Sequence, residues 1–288
     1  VTSQPHRGDN ALIRACEPIT PLLGARVHLT AADIARTHGD GTLRQALDTF
    51  GMLVFPRVGI SDEALVALSD SLGEMEAAQV TADGSAASAR GIYRIALDKS
   101  DKSQREYVLG NNYWHMDGLS YRVPGKATLL KCEAPPREGG DTEFANLAAA
   151  WDALAADEKA TLAKLRVLHS LEPVGRRLVA EPTAEDLARW GAVFPPTEHP
   201  LVLTLDDGRH SLAIGSTAHS VPGMSPEEGG ALLDRLLAWS TQERFTYRHH
   251  WQQGDLVIWH NPALLHRSHP YPEDAGRVMH RSTVKGRA

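Results

Sequence analysis

Apolar and polar positions change period several times along the chain, and each change predicts an element. Residues 1–25 show no clear period and read as an irregular N-terminal arm. Thr30 followed by Asp33 has the form of a helix start, and a second helix is expected over 42–50, ended by Gly51. The run Met52-Leu53-Val54-Phe55 is apolar, short and closed by Pro56, as a buried strand would be. Ser61 then caps an amphipathic helix in which Leu65, Leu68, Leu72 and Met75 recur at spacings of three and four. From 77 to 110 the pattern dissolves into Ala, Ser, Gly and charge. A connection of that length inside a compact domain is expected only of a functional segment, here an active-site lid.

Strand-like runs follow at 127–133, 166–170, 201–205, 211–214, 245–251, 256–259 and 277–284, separated by Gly, Pro and Asp turns. Within one of them Phe245, Tyr247, His249 and Trp251 alternate with Thr246, Arg248 and His250, which predicts an antiparallel strand with one packed face. Two helices interrupt the β region. One is Ala-rich over 147–165; the other, over 225–240, opens with Ser225, Pro226 and Glu228, a capping box. No repeat or inter-domain linker is visible. The expectation is one domain over 1–288, mainly β, with helices flanking a β core.

Composition narrows the class. With 42% hydrophobic and 23% charged residues, the 288-residue chain is neither disordered, collagenous nor coiled coil. No stretch approaches the roughly 18 to 20 consecutive apolar residues of a membrane span, and the N-terminus lacks the apolar segment of a signal peptide, so a cytoplasmic protein without a membrane partner is expected. A net charge of −6 with scattered Arg residues argues against a nucleic-acid partner. Cys16 and Cys132, without CxxC spacing, are expected to be thiols in a reducing compartment. The oddity is 14 His against 6 Tyr and 5 Phe, which directs attention to metal.

The most informative segment is Asn111-Asn112-Tyr113-Trp114-His115-Met116-Asp117-Gly118. On a strand, residues two apart face the same way, so His115 and Asp117 can reach one ion. Near the C-terminus, a buried strand and turn would bring His266 back toward the core. Two His and one carboxylate on one face of an ion form the facial triad of non-haem Fe(II) oxygenases, with positions left open for substrate and O2.

These segments, together with GGDTEFAN at 139–146, AIGSTAHSVPGM at 213–224, YRHHWQQGDLVIWHN at 247–261, LLHRSHPY and VMHRST, resemble the Fe(II)- and 2-oxoglutarate-dependent dioxygenases typified by taurine dioxygenase and 2,4-dichlorophenoxyacetate dioxygenase, over about 51 to 285. The resemblance implies a double-stranded β-helix, a cupin-like jelly roll, with Fe(II) held by His115, Asp117 and His266. It implies that Thr142 and Arg277 hold the distal carboxylate of the cosubstrate 2-oxoglutarate, and that Arg281 and Asn111 meet the substrate. The implied reaction consumes O2, hydroxylates a C–H of a small organic anion (a carboxylate, sulfonate or sulfate) and releases succinate and CO2. Relatives are often dimers or tetramers, so self-association is implied as well.

The residues read by themselves agree. Arg277, Met279 and Arg281 share a face of the last strand, and a cation inside a barrel is costly unless paired, so both arginines need anions. A guanidinium fork and a Thr hydroxyl suit a carboxylate. A structural ion pair with an internal acid is the competing reading of Arg281, and a turn residue that of Asn111. Trp114 and Trp259 read as core packing, His249 and His250 point to opposite faces of a strand, and His169, His199, His210, His219, His269 and His280 lack a ligand-like context. Two features depart from the family: His260-Asn261-Pro262 stands where Asp-Asn-Arg is common, which puts the usual supporting contacts in doubt, a competing His260 nitrogen at the metal being the less favoured reading, and 77–110 does not match clearly. Asp117 argues against a halogenase. The rival functions are a cupin-type metalloenzyme independent of 2-oxoglutarate, which Arg277 and Thr142 disfavour, and a non-catalytic ligand-binding jelly roll, which O2 uptake would distinguish.

Overall fold

The computed structural model describes residues 11–36, 39, 41–76, 87–88, 91–97 and 102–286. Its spine is an eight-stranded sheet ordered Cys16–Pro18, Ala25–Val27, Met52–Phe55, Leu256–His260, Ala127–Ala134, Val278–Val284, Ile92–Ile95 and Ala87–Ser88. A three-stranded antiparallel sheet, Thr246–His249, Thr142–Asn146 and Leu264–Ser268, packs against one face of it. Two smaller sheets are made of Ala218–Ser220, Arg166–His169 and Thr197–Pro200, and of Val202–Thr204 with His210–Leu212.

Met52–Phe55 and Leu256–His260 are buried on both faces, which is why residues 52–55 and 256–259 read as continuous apolar runs. Met52, Val54, Val257, Trp259, Leu130 and Met279 point to the three-stranded sheet and pack with Phe144, Trp251 and Leu264. Their alternates Leu53, Phe55, Leu256, Ile258 and Leu129 pack under the helices Thr42–Phe50 and Asp62–Leu72 through Leu43, Leu47, Leu65 and Leu68. A third apolar cluster joins Trp151, Val167, Leu212, Leu236 and Leu265 beneath the helices Leu147–Asp152 and Pro226–Ser240.

Several expectations change form. The described part of the arm is ordered: a short helix, Ala11–Arg14, leads into Cys16–Pro18, which pairs with Ala25–Val27 at the sheet edge. Residues 1–10 lie outside the described residues. The Ala-rich helix over 147–165 is two helices, Leu147–Asp152 and Ala156–Leu162; the break between them buries Leu154 in the same cluster as Trp151 and Leu162. Composition could not mark that break, because Ala favours helix throughout. Within the expected lid, Ile92–Ile95 pairs with Val278–Val284 and Lys102–Gly110 is a helix; 77–86, 89–90 and 98–101 lie outside the described residues. No helix among the described residues is long and apolar enough to cross a membrane.

Candidate active site

His115 and His266 are locked in register by a reciprocal pair of backbone hydrogen bonds, N–H of each to the carbonyl of the other at 2.9 Å. His115 is not on a regular strand; this isolated bridge alone aligns it. Gly215 packs against it, and a Cβ there would stand 2.9 Å from the Trp114 carbonyl oxygen and 3.3 Å from His115 Cα. The following Asp117 brings Oδ1 to 4.0 Å from His115 Nε2 and Oδ2 to 3.6 Å from His266 Nε2. One ligand atom from each residue lies within 4.8 Å of the others.

The surroundings hold each group in the form a cation needs. His115 Nδ1 donates to the Tyr113 carbonyl at 2.8 Å, leaving the Nε2 lone pair on the side of Asp117. Burial pushes both imidazoles below the usual range, His266 to about 3, so both are neutral. Burial would raise Asp117, but His266, Arg281, His115 and a hydrogen bond from Thr128 outweigh it and hold the carboxyl at about 2. Two neutral imidazoles and a carboxylate fit a divalent cation, whose ligands must be deprotonated. The Thr128 hydroxyl donates to Asp117 Oδ2 at 2.8 Å and accepts from Asn261 Nδ2 at 2.9 Å. Asn261 therefore supplies a supporting polar contact that its unusual neighbours had put in doubt. His260 turns away, toward Asp48, Lys126, Asp206 and Asp207, and does not join the three ligands. Trp259 lies against His266 with ring centroids 4.7 Å apart and meets Phe144 edge-on at 5.3 Å.

Behind this group, Arg277 is buried and its Nε donates to the Gly140 carbonyl at 3.0 Å. A Cβ on Gly140, at φ +69, would stand 3.0 Å from Arg277 Cδ and 2.8 Å from Pro136 Cγ, so glycine makes the cradle. No carboxylate among the described residues makes an ion pair with Arg277; the Tyr271 side chain hydrogen-bonds it and Asp141 acts from farther off, but burial outweighs both and lowers its pKa. A desolvated guanidinium without an acid fits an incoming carboxylate. Thr142, two residues beyond Gly140, is also buried; its Oγ1 accepts from Trp251 Nε1 at 2.9 Å, which leaves the hydroxyl proton available to donate.

In front lies a cavity of about 580 Å³ lined by His115, Asp117, Arg281 and Asn111, but not by Thr142 or Arg277. A register irregularity after Val278 separates the two arginines, so they serve different spaces. Arg281 Nη1 stands 3.6 Å from Asp117 Oδ1, and its guanidinium lies 5.5 and 5.6 Å from the ring centres of Tyr93 and Tyr107. Asn111 follows the helix Lys102–Gly110 and hydrogen-bonds Tyr107. Sequence reasoning missed the outer wall: the helices Glu172–Leu178 and Ala184–Val193 supply Val174, Leu178 and Trp190, and Phe194 caps the second. The Thr183–Asp186 capping box was the available signal for the second of them. Arg189 on this wall pairs with Glu106 at 3.0 Å across the cavity rim.

Five other histidines are placed away from the three ligands. His249 bonds Asp255 at 3.1 Å, while His250 lies exposed beside Asp141. His169 bonds Thr217, and His199 the Leu119 carbonyl. His280 does gather with Asp62 and Glu133, but the Lys131 ammonium already bridges those acids at 2.7 and 2.5 Å. That cluster is an ion-pair network.

The chain is similar to known proteins over most of its length. A sequence model described as the taurine catabolism dioxygenase TauD, TfdA family matches residues 15–283. The chain is 33% identical over 253 residues, 85% of each chain, to an (S)-phenoxypropionate/alpha-ketoglutarate-dioxygenase of Sphingobium herbicidovorans. It is 32% identical over 280 residues to the alpha-ketoglutarate-dependent 2,4-dichlorophenoxyacetate dioxygenase of Cupriavidus pinatubonensis, covering 93% of this chain and 96% of the other. Among solved structures it is similar to AAD-2 in complex with Mn(II) and N-oxalylglycine, with a TM-score of 0.77, 30% identity and coverage of 95% and 98%.

Proposed function

The chain belongs to the TauD/TfdA family of 2-oxoglutarate-dependent dioxygenases, and from that membership we propose that it hydroxylates a C–H bond of a small organic anion with His115, Asp117 and His266 as the ligands of Fe(II). The observation that carries this reading is the convergence of the three ligand atoms within 4.8 Å, with His115 and Asp117 lining a cavity. The eight- and three-stranded sheets are then the two halves of a double-stranded β-helix, with the ligands near its open end.

Fe(II) with 2-oxoglutarate and O2 supplies the oxidising power, yielding succinate and CO2 beside the hydroxylated product. The chain's own residues bind, orient and exclude. Arg277 and Thr142 take the distal carboxylate of 2-oxoglutarate, the first as a desolvated cation and the second as a donor aligned by Trp251. Thr128 and Asn261 hold the Asp117 carboxylate in one orientation, and the Tyr113 carbonyl fixes the His115 tautomer. Arg281 takes the acid group of the substrate, with Asn111 and Tyr107 beside it. The apolar wall of Val174, Leu178, Trp190 and Phe194 covers the substrate's body and keeps water from the reacting C–H.

The test is anaerobic addition of Fe(II) and 2-oxoglutarate to the metal-free protein. A visible charge-transfer band is expected, lost in Asp117→Ala and weakened in Arg277→Ala. Tight iron binding with no band would overturn the 2-oxoglutarate part of the reading, and a full band in Asp117→Ala would overturn the ligand set.

A further inference from the structure

The acid-binding end of the cavity carries a carboxylate that the proposed reaction does not use. Glu76 lines the same cavity as Arg281 and Asp117. Its backbone is tied to the last strand by an N–H bond to the Thr283 carbonyl at 2.8 Å. Its Oε1 stands 3.4 Å from where a Cβ on Gly125 would lie, so the glycine leaves it room. Among the described residues the Glu76 side chain has no hydrogen-bond donor and no ion-pair partner. Burial and the Asp117 charge raise its pKa above the usual carboxylate range, opposed from farther off by Arg281 and by Lys285, whose ammonium is engaged by Glu74, so a cation brought beside it would favour the charged form. A half-buried carboxylate in this position requires a partner, and a ligand can provide one.

Resting on the function proposed above, we propose that the substrate is a zwitterion, its acid group held by Arg281 and an ammonium held by Glu76. Charge balance supports it. The divalent cation and Arg277 together offset Asp117 and doubly charged 2-oxoglutarate. Arg281 and Glu76 then offset one another, so a zwitterion enters with no net charge left over. A plain monoanion would leave one negative charge uncompensated in a desolvated site. An aryloxy acid would offer Glu76 only ether lone pairs, and two acceptors repel. The apolar wall adds that the body beyond the two charges is hydrophobic. The substrate class is an amino acid, or an amino-substituted acid of similar shape, with an aryl or alkyl body.

The test is calorimetric titration of the protein loaded with Mn(II) and N-oxalylglycine, which does not turn over. The probes are L-phenylalanine, 3-amino-3-phenylpropionate and their deaminated counterpart 3-phenylpropionate. At least one amino acid is expected to bind about tenfold more tightly than 3-phenylpropionate, the size of one charged hydrogen bond. Glu76→Gln should remove most of that preference, with N-oxalylglycine binding reporting that the variant's site is intact. Equal or tighter binding of 3-phenylpropionate, no binding of either amino acid, or an unchanged preference in the variant would each overturn the proposal. If the variant does not fold, the wild-type ratio decides. Failure of N-oxalylglycine itself to bind would remove the functional reading and the proposal together, and so is told apart from failure of the proposal alone.

Discussion

A hydroxyl whose lone pair is occupied becomes a committed donor, and Trp251 does this to Thr142 through a 2.9 Å bond from its indole. Trp251→Phe keeps the aromatic bulk and deletes that bond, so the hydroxyl can rotate away from the cosubstrate. Affinity for 2-oxoglutarate should fall about fivefold, the worth of about 1 kcal/mol, with affinity for metal unchanged. Titration with each ligand separately checks it; equal loss of both would mean that Trp251 supports the whole site. The same scale explains Arg281. Its ion pair with Asp117 is the structural role that competed with substrate binding, and under the proposed function the two roles are compatible, because a divalent cation bound by Asp117 would relieve the guanidinium of that partner.

At the scale of elements, the strand Thr142–Asn146 is held between Thr246–His249 and Leu264–Ser268, so one short sheet carries Thr142, His266 and the approach to Trp251. The turn after it is pinned by Asp255, which accepts from the backbone N–H of Arg57 at 2.8 Å and of Gln252 at 2.9 Å and meets His249. Arg57 has φ 47, a left-handed conformation costly for a side chain, and its bond to Asp255 helps to hold it. Burial opposes the Asp255 charge, yet His249 and these N–H groups lower its pKa below that of an unfolded Asp. Its stabilisation is therefore complete above the unfolded pKa and is lost as pH falls through the lower folded one. Asp255→Asn should cost about 2 kcal/mol at neutral pH and flatten the acid limb of a pH–stability profile measured by urea unfolding. The helices Glu172–Leu178 and Ala184–Val193 pack closely because Gly175 has no Cβ, which would stand 2.5 Å from the Trp190 ring. Their apolar residues face a cavity instead of a core, so no regular buried stripe announced them.

At the scale of the molecule, the described residues form three apolar clusters, two of them on opposite faces of the eight-stranded sheet, and the site lies where strands from distant parts of the chain meet. Ligands joining residues 115, 117 and 266 should stabilise that meeting point. Mn(II) with N-oxalylglycine at a hundredfold excess over Kd should add about 2.7 kcal/mol and raise the melting temperature, an increase that Asp117→Ala abolishes. A scanning-calorimetry run with and without the pair checks it, and an equal shift in the variant would mean that binding occurs elsewhere. The chain's local chemistry made His115, Asp117 and His266 candidates and showed that Arg277 and Arg281 need anions, while Thr142 and Asn111 and the ligands of the two arginines came through the family resemblance that the short motifs carry. Local chemistry also sufficed for the short runs 52–55 and 256–259, where burial on both faces imposes unbroken apolarity. Tertiary structure alone decided that Thr128 and Asn261 brace Asp117, that Trp251 aims Thr142, that Arg281 and Glu76 share one cavity, and that the two arginines open into different spaces. These are contacts between side chains whose neighbours in sequence carry no trace of the pairing, because folding brings them together through sheet register and packing, which no local period encodes.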